Sequence, residues 1–478
     1  MEAGYEVTSE ETEADIVIIN TCAFIESAKK ESIDNIIDIG WLKENRSLRG
    51  IIVTGCLSER YRDSIFEELP EVDAVLGVGS IHNIVDAIKA IEKGEKYSSY
   101  EKNDCVKLGG DRILTTPDYA AYIKIAEGCD NRCTYCAIPS IRGGFRSRKI
   151  EDIISEAKQL EGLGVKELTV VAQDITRYGE DLYGEYKLAE LLHRITEETK
   201  IPWVRLLYCY PDKITDELIS EIRDNDRIVK YIDMPLQHIS DKVLRRMNRH
   251  GDSKMIKDVI AKLRREIPDI IIRTTFIVGF PGETEEDFDL LCEFVGETKF
   301  EHMGAFTYSR EEGTPAYDFE DQIDEQVKQD RCDILMGRQM VIDAERNEKL
   351  VHKTIKVLCE DYDVVSETYY GRSYMDAPEI DGKIFFTAKK KIKPGTFVNV
   401  KIDSAEDDDL IGHAAECFWR CKNESTKQAY GPPSYHGSRY SYSHAASPAC
   451  HSFGRACGGN LRCNGTDGYA RRQDCKKE

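Results

Sequence analysis

Three features of the sequence predict a multidomain α/β protein. Its 478 residues exceed one ordinary domain. Over most of that length, apolar runs ending in polar turns alternate with amphipathic stretches, as in buried parallel strands joined by helices. From about residue 341 the alternation gives way to short strands separated by Gly and Pro, the pattern of a small all-β barrel.

Residues 1–100 form the first unit. "ADIVIINTC" (14–22) and "GIIVTGC" (50–56) read as buried strands, and "SIDNIIDIGWLKEN" between them sets Ile33, Ile36 and Ile37 on one helical face. Strand, helix, strand, helix predicts a small α/β sandwich. Both strands end on a cysteine, at the carboxyl edge where open α/β sheets bind ligands.

Residues 115–340 form the second unit. "AYIKIAEG", "ELTVVAQD", "WVRLLYCYP", "VKYIDMP", "IIIRTTFIVGFPG" and "HMGAFTYS" read as six strands, with helices such as "IEDIISEAKQLEGLG" between them. Repeats of this number and kind predict a TIM-like (β/α) barrel, complete or partial, with its chemistry at the strand carboxyl ends. Residues 341–416 follow, where "TIKVLCEDY", "TYYGRSYM", "KIFFTA" and "TFVNVKIDSA" are the strands of the all-β barrel. Residues 417–478 contain no Ile or Val and a single Leu, Leu461. They cannot bury a core, so they are predicted to be disordered. Their six cysteines are irregularly spaced and their net charge is +6, against −27 for the rest. This break in composition reads as a shifted frame or a non-native fusion, and no function is assigned to it.

The whole chain carries −21. An acidic surface repels phosphate backbones, which argues against DNA and suits a basic partner. No apolar run is long enough to span a membrane, and the first residues, "MEAGYEVTSEETEADI", are too polar for a signal peptide. The expected location is the cytoplasm. In that reducing compartment, 16 cysteines read as ligands or buried thiols rather than as disulfides.

The chemistry concentrates in "AEGCDNRCTYCAIP", where Cys129, Cys133 and Cys136 follow the first barrel strand. A structural zinc site takes four ligands, usually as two pairs. The next His is His193, in a helical stretch. A cubane iron–sulfur cluster held by three thiolates leaves one iron free to bind a small molecule through an amine and a carboxylate. The alternative is a chance cluster or a degenerate zinc knuckle. Cys22 and Cys56, taken alone, read equally well as ordinary buried thiols. Cys209, Cys292, Cys332 and Cys359 lie in apolar patterns and read as core. His238 reads as structural, and the acidic run 406–409 as a solvated turn.

Cys-x3-Cys-x2-Cys after the first strand of a β–α barrel resembles the radical S-adenosylmethionine (SAM) superfamily. Further stretches, "EGCDNRCTYCAIPSIRG", "VAQDITRYGEDLY", "MPLQHISDKVLRRMNR", "IVGFPGETEEDF", "FTYSREEGTPAY", "NTCAFIESAKKESI" and "GCLSERY", resemble the methylthiotransferases within it. Among these the wording is most similar to the branch acting on an aspartate of ribosomal protein S twelve (uS12). The resemblance runs from residue 1 to residue 416. It implies a flavodoxin-like α/β domain, a partial TIM-like radical SAM barrel and a TRAM barrel.

The resemblance also implies chemistry. Cys129, Cys133 and Cys136 would hold a [4Fe–4S] cluster whose open iron chelates SAM. Reductive cleavage of SAM would give a 5′-deoxyadenosyl radical that takes hydrogen from the aspartate β-carbon. A second [4Fe–4S] cluster, with Cys22 and Cys56 among its ligands, would supply sulfur, and a second SAM the methyl group. The family's first ligand to that cluster lies at the end of an opening strand ahead of "EAGYEV", whereas the given sequence starts at "MEAGYEV". A true start there is expected to leave the radical site intact and to impair methylthiolation. Cys105, in a linker, is not expected to substitute. Tyr135, Gln173, Gln237 and Gly279 are the expected cofactor contacts. Gly279 and Gly282 would let the backbone approach a ligand closely. As polar residues at strand ends, the glutamines equally fit a backbone-satisfying role.

The expected substrate is uS12, free or in the small ribosomal subunit. A low-potential donor such as a flavodoxin or ferredoxin would supply the electron. Residues 343–416 carry a net −5, which suits a basic protein loop better than RNA. The alternatives are a tRNA adenosine methylthiotransferase and an inactive remnant that binds SAM without forming product.

Overall fold

The computed structural model describes residues 3–8, 10–103, 109–110 and 112–415. The linker cysteine Cys105 and the tail 417–478 lie outside the described residues.

The first sheet contains β1 (Ile16–Thr21), β2 (Gly50–Gly55), β3 (Ala74–Leu76) and β4 (Tyr97–Ser99), all parallel and in that order. Side chains alternate across the pleat, so Ile51 and Val53 pack with Ile36 and Ile39 of the helix Glu26–Asn45. Ile52 faces the other way, toward Ala87 and Ile91 of the helix Ile84–Glu92. The result is the expected α/β sandwich. β3 and β4, three residues each, are too short to carry a periodic signal in the sequence.

The second sheet uses the six predicted strands as β5 (Ala120–Lys124), β8 (Glu167–Val171), β9 (Trp203–Leu206), β10 (Ile228–Asp233), β11 (Ile271–Val278) and β12 (His302–Thr307). They run parallel in sequence order from β5 to β12, and the two end strands do not pair, so the barrel is partial. A short ribbon, β6 (Ala126–Glu127) with β7 (Arg146–Ser147), rises from the carboxyl end of β5 and frames the cysteine loop. Helices such as Ile150–Gly162 and Leu188–Glu198 bury their apolar faces on the outside of the sheet.

The third unit is a closed five-stranded barrel of β13 (Thr354–Asp363), β14 (Thr368–Arg372), β15 (Ile384–Thr387), β16 (Phe397–Glu406) and β17 (Asp409–Ala414). The acidic run 406–409 is the turn from β16 to β17. This barrel is locked to the second sheet by buried charge. Glu167 accepts from Arg205 at 2.6 Å and from Arg372 at 2.6 Å, and all three are fully buried. Tyr231 of β10 donates to Asp381 at 2.8 Å.

Candidate active site

The cysteine loop leaves β6 at Gly128, whose φ of +80° suits glycine. A Cβ there would lie 2.1 Å from the Gly144 carbonyl oxygen, so the two backbone segments touch. The Cys129 N–H donates to the Gly143 carbonyl at 3.2 Å. Asn131 donates to buried Asp174 at 2.9 Å, and the carbonyl of Arg132 accepts from Asn248 at 3.0 Å. Thr134 makes three bonds: its N–H to the Met247 carbonyl, its hydroxyl to the Arg246 carbonyl, and its own carbonyl from the Ala316 N–H. Cys129, Asn131, Arg132 and Thr134 are thus tied to Gly143, Asp174, the stretch 246–248 and Ala316, and the three thiols sit on a fixed frame.

Cys129, Cys133 and Cys136 line a cavity of about 4520 Å³ that extends from the carboxyl ends of the barrel strands to Tyr119 and Lys166 at their amino ends and to Gly395 of the third unit. Burial pushes the Cys129 thiol up to about 11 and the Cys136 thiol further still. Without metal these groups stay protonated, so loading iron releases protons. Two further groups close on Cys133. The Tyr210 hydroxyl lies 3.7 Å from its sulfur and an Arg249 nitrogen 4.0 Å. The Arg249 guanidinium stacks 3.8 Å from the centre of the Tyr210 ring and donates to the Pro235 carbonyl at 2.6 Å.

Gln173 and Gln237 also line this cavity, and the side-chain carbonyl oxygen of each is buried without a hydrogen-bond partner among the described residues. The backbone of Gln237 bridges to β11, through its N–H to Thr275 and its carbonyl from Ile277, both at 2.8 Å. An unsatisfied buried acceptor costs about 1–3 kcal/mol, a cost that a donor on a bound molecule removes. Tyr135 lines the cavity too, with its ring against the group formed by Val243, Met247, Phe280, Tyr308 and Ala316.

Gly279 and Gly282 are placed differently. A Cβ on Gly279 would meet Lys328 Cγ at 2.2 Å, and one on Gly282 would meet an Asp321 oxygen at 2.4 Å. The close approach at both glycines is therefore made by side chains of this chain. The Gly279 and Phe280 N–H groups donate to Glu283, at 2.7 and 3.1 Å, which fixes the turn behind Tyr135.

Cys22 and Cys56 come together through the register of β1 and β2, which pairs Thr21 with Gly55. Gly55 (φ +99°) lies so close to β1 that a Cβ would fall 2.4 Å from the Thr21 carbonyl oxygen. The Cys22 N–H donates to Ser32 at 3.0 Å, and the Ser32 hydroxyl returns a bond to the Cys22 carbonyl at 2.9 Å. Both cysteines line the same cavity as the three-thiol loop.

Among the described residues, no three His, Cys, Asp or Glu side chains converge as a single metal ion would require. Three thiols in one loop suit an iron–sulfur core that leaves one iron open better than a structural zinc, which takes four ligands. Sequence reasoning did not find Tyr210, Arg249 or Asp174. Arg249 is 116 residues from Cys133, and nothing local marks it as a neighbour.

Comparison with known proteins agrees with this architecture. The radical SAM superfamily profile matches residues 123–295, the profile of uncharacterized protein family UPF0004 matches residues 1–77, and the TRAM domain profile matches residues 351–415. The ribosomal protein uS12 methylthiotransferase RimO of Thermoanaerobacter sp. is 52% identical over 412 residues, covering 86% of this chain and 94% of that one. The RimO of Acetivibrio thermocellus is 48% identical over 431 residues, 88% of this chain and 93% of its own. That of Clostridium tetani is 50% identical over 419 residues, with 87% and 93% covered. Identity of this order, over 86–88% of the chain and with profiles matching in all three structural units, means that the chain belongs to the RimO family of radical SAM methylthiotransferases.

Proposed function

We propose that the chain adds a methylthio group to the β-carbon of an aspartate in ribosomal protein uS12, with Cys129, Cys133 and Cys136 as the ligands of its radical SAM cluster. The observation that carries the proposal is the multiply tied three-thiol loop lining the same cavity as the unsatisfied side-chain oxygens of Gln173 and Gln237. The donor set fits a [4Fe–4S] cluster with one open iron. When bound, the cluster supplies the electron that cleaves SAM, and with it a radical able to break a C–H bond no side-chain base can ionise at neutral pH.

The chain's own residues do the rest. The loop's ties to Asp174, Asn248, Met247 and Ala316 keep the thiols in place when they lose their protons. Arg249 brings a positive charge to the Cys133 side of the site. Gln173 and Gln237 offer acceptors to N–H groups of SAM. Tyr135 presents an aromatic wall, and Gly279 acts at one remove, through the turn that supports that wall. Cys22 and Cys56, which line the same cavity, supply ligands to a second cluster. A flavodoxin or ferredoxin delivers electrons, and the reaction takes place in the cytoplasm. No helix among the described residues is long and apolar enough to cross a membrane.

The test is SAM cleavage by anaerobically reconstituted protein. The intact chain is expected to release 5′-deoxyadenosine on reduction, and Cys129→Ala, Cys133→Ala and Cys136→Ala to release none. Release that survives any of the three substitutions contradicts the ligand assignment.

A further inference from the structure

We infer that Arg249 is the counter-charge of the three-thiol loop and, with Tyr210, raises the reduction potential of the cluster that Cys133 ligates. This deepens the proposed function and rests on its reading of Cys129, Cys133 and Cys136 as the ligands of one cluster. The first observation is the kind of partner Arg249 has. Arginines buried elsewhere are matched by carboxylates: Arg205 and Arg372 share Glu167, Arg148 pairs with Glu156, and Arg331 with Glu283. Arg249 lines the cavity, and among the described residues no Asp or Glu forms an ion pair with it. Its guanidinium instead meets a carbonyl, an aromatic face and a thiol: Pro235 oxygen at 2.6 Å, the centre of the Tyr210 ring at 3.8 Å and Cys133 Sγ at 4.0 Å. A cation drawn out of bulk water without a counter-ion is costly. Negative charge arises beside Arg249 when the thiols lose their protons to bind iron.

The second observation is which thiol these groups meet. Cys133 is buried, and among the described residues it is the one thiol of the three with side-chain donors in reach. Tyr210 belongs to the frame of the loop itself. Its N–H donates to the Thr176 hydroxyl at 3.3 Å, Thr176 donates to Asp174, and Asp174 accepts from Asn131 of the loop. Arg249 is fixed from the other side, by the Pro235 carbonyl just past β10 and by its stack on the Tyr210 ring. The electrostatic consequence has a definite sign. A hydroxyl and a full positive charge beside a ligand sulfur stabilise the more negative, reduced state of the cluster bound there. Together they make the cluster easier for a donor to reduce.

The experiment is an anaerobic redox titration of the reconstituted full chain followed by electron paramagnetic resonance, with iron and sulfide counted per chain. SAM is left out, so that the potential reports the protein alone, and only the signal removed by Cys133→Ala is read. In Arg249→Met that signal is expected to move to lower potential. The expected size is about tenfold in the oxidised-to-reduced ratio at fixed potential, ~59 mV for a one-electron couple. Tyr210→Phe, which keeps the ring and removes only the hydroxyl, is expected to move it the same way by less. Arg249→Lys, which keeps the charge, is expected to recover part of the shift. An unmoved signal in Arg249→Met overturns the inference and leaves the cluster ligands standing. Where Arg249→Met takes up no iron, an unmoved signal in Tyr210→Phe overturns it equally. Reconstituted protein whose every signal survives Cys133→Ala overturns the reading of the three cysteines and the inference with it.

Discussion

Replacing Gly128 by alanine tests whether the cysteine loop is held as rigidly as its contacts imply. Gly128 has φ +80°, and an L side chain in that region costs about 1–2 kcal/mol. The new methyl would fall 2.1 Å from the Gly144 oxygen and 2.7 Å from the Gly143 oxygen, both backbone atoms that cannot rotate away. Relieving such overlap by a backbone shift costs about 1–3 kcal/mol more. The sum, about 2–5 kcal/mol, falls on the segment that carries Cys129, whose N–H is bonded to the same Gly143. Even the lower figure is about thirtyfold in an equilibrium constant. Because the strain is local, it is expected to open the loop before it unfolds the barrel. Gly128→Ala should therefore lose most of its Cys133-dependent iron after reconstitution at limiting iron and sulfide, with a smaller fall in the urea midpoint. Gly162→Ala is the control. Gly162 ends the helix Ile150–Gly162 with no atom within 4 Å of an added Cβ. It should load normally and be stabilised by about 0.4–1 kcal/mol. Wild-type iron loading in Gly128→Ala would refute the reasoning.

Three more predictions follow from the same contacts. Burial alone would raise the Glu127 carboxyl, but Arg142 and Lys124 override it and hold it at about 2, against 4.5 ordinarily. Its contribution is full above about pH 4.5 and is lost as pH falls toward 2, so the stability gap between wild type and Glu127→Gln should narrow by about 2 kcal/mol from pH 6 to pH 3 in denaturant titrations; a gap that stays constant would contradict it. Glu167→Gln takes from buried Arg205 its carboxylate partner, at a cost of about 3–5 kcal/mol, and should lower the denaturant midpoint and expose residues 373–381 to protease; an unchanged midpoint would show that the lock between the barrels is not there. Gln173→Ala and Gln237→Ala should each weaken SAM binding about five- to thirtyfold, read by equilibrium dialysis with reconstituted protein, and leave thermal stability near wild type; unchanged SAM affinity in both would return the glutamines to a backbone-satisfying role.

Much of the fold was legible because parallel strands buried on both faces leave long apolar runs. All six barrel strands are visible that way, from "AYIKIAEG" to "HMGAFTYS". The three-residue strands β3 and β4 left no such trace: β3 is placed by pairing with the longer β2, and β4 by pairing with β3 in turn. The site was legible to the same depth. Cysteine spacing exposes Cys129, Cys133 and Cys136, because local chain geometry alone brings them to one cavity wall. Arg249, Tyr210 and Arg142 reach thiols through tertiary packing, which no spacing rule encodes. Gly279 shows the converse difficulty. A glycine held in tight contact reads the same whether a ligand or, as here, the stem of Lys328 fills the space above it.

The central claim is methylthiolation of uS12 by this chain, and mass measurement of the candidate substrates tests it most directly. Reconstituted protein is incubated anaerobically with SAM, a low-potential reductant, small ribosomal subunits and tRNA, and each product is then fragmented. The predicted result is a gain of one methylthio group on an aspartate of uS12, abolished by Cys133→Ala, with tRNA unchanged. A methylthio group on a tRNA adenosine, or an unmodified uS12 beside active SAM cleavage, would contradict it.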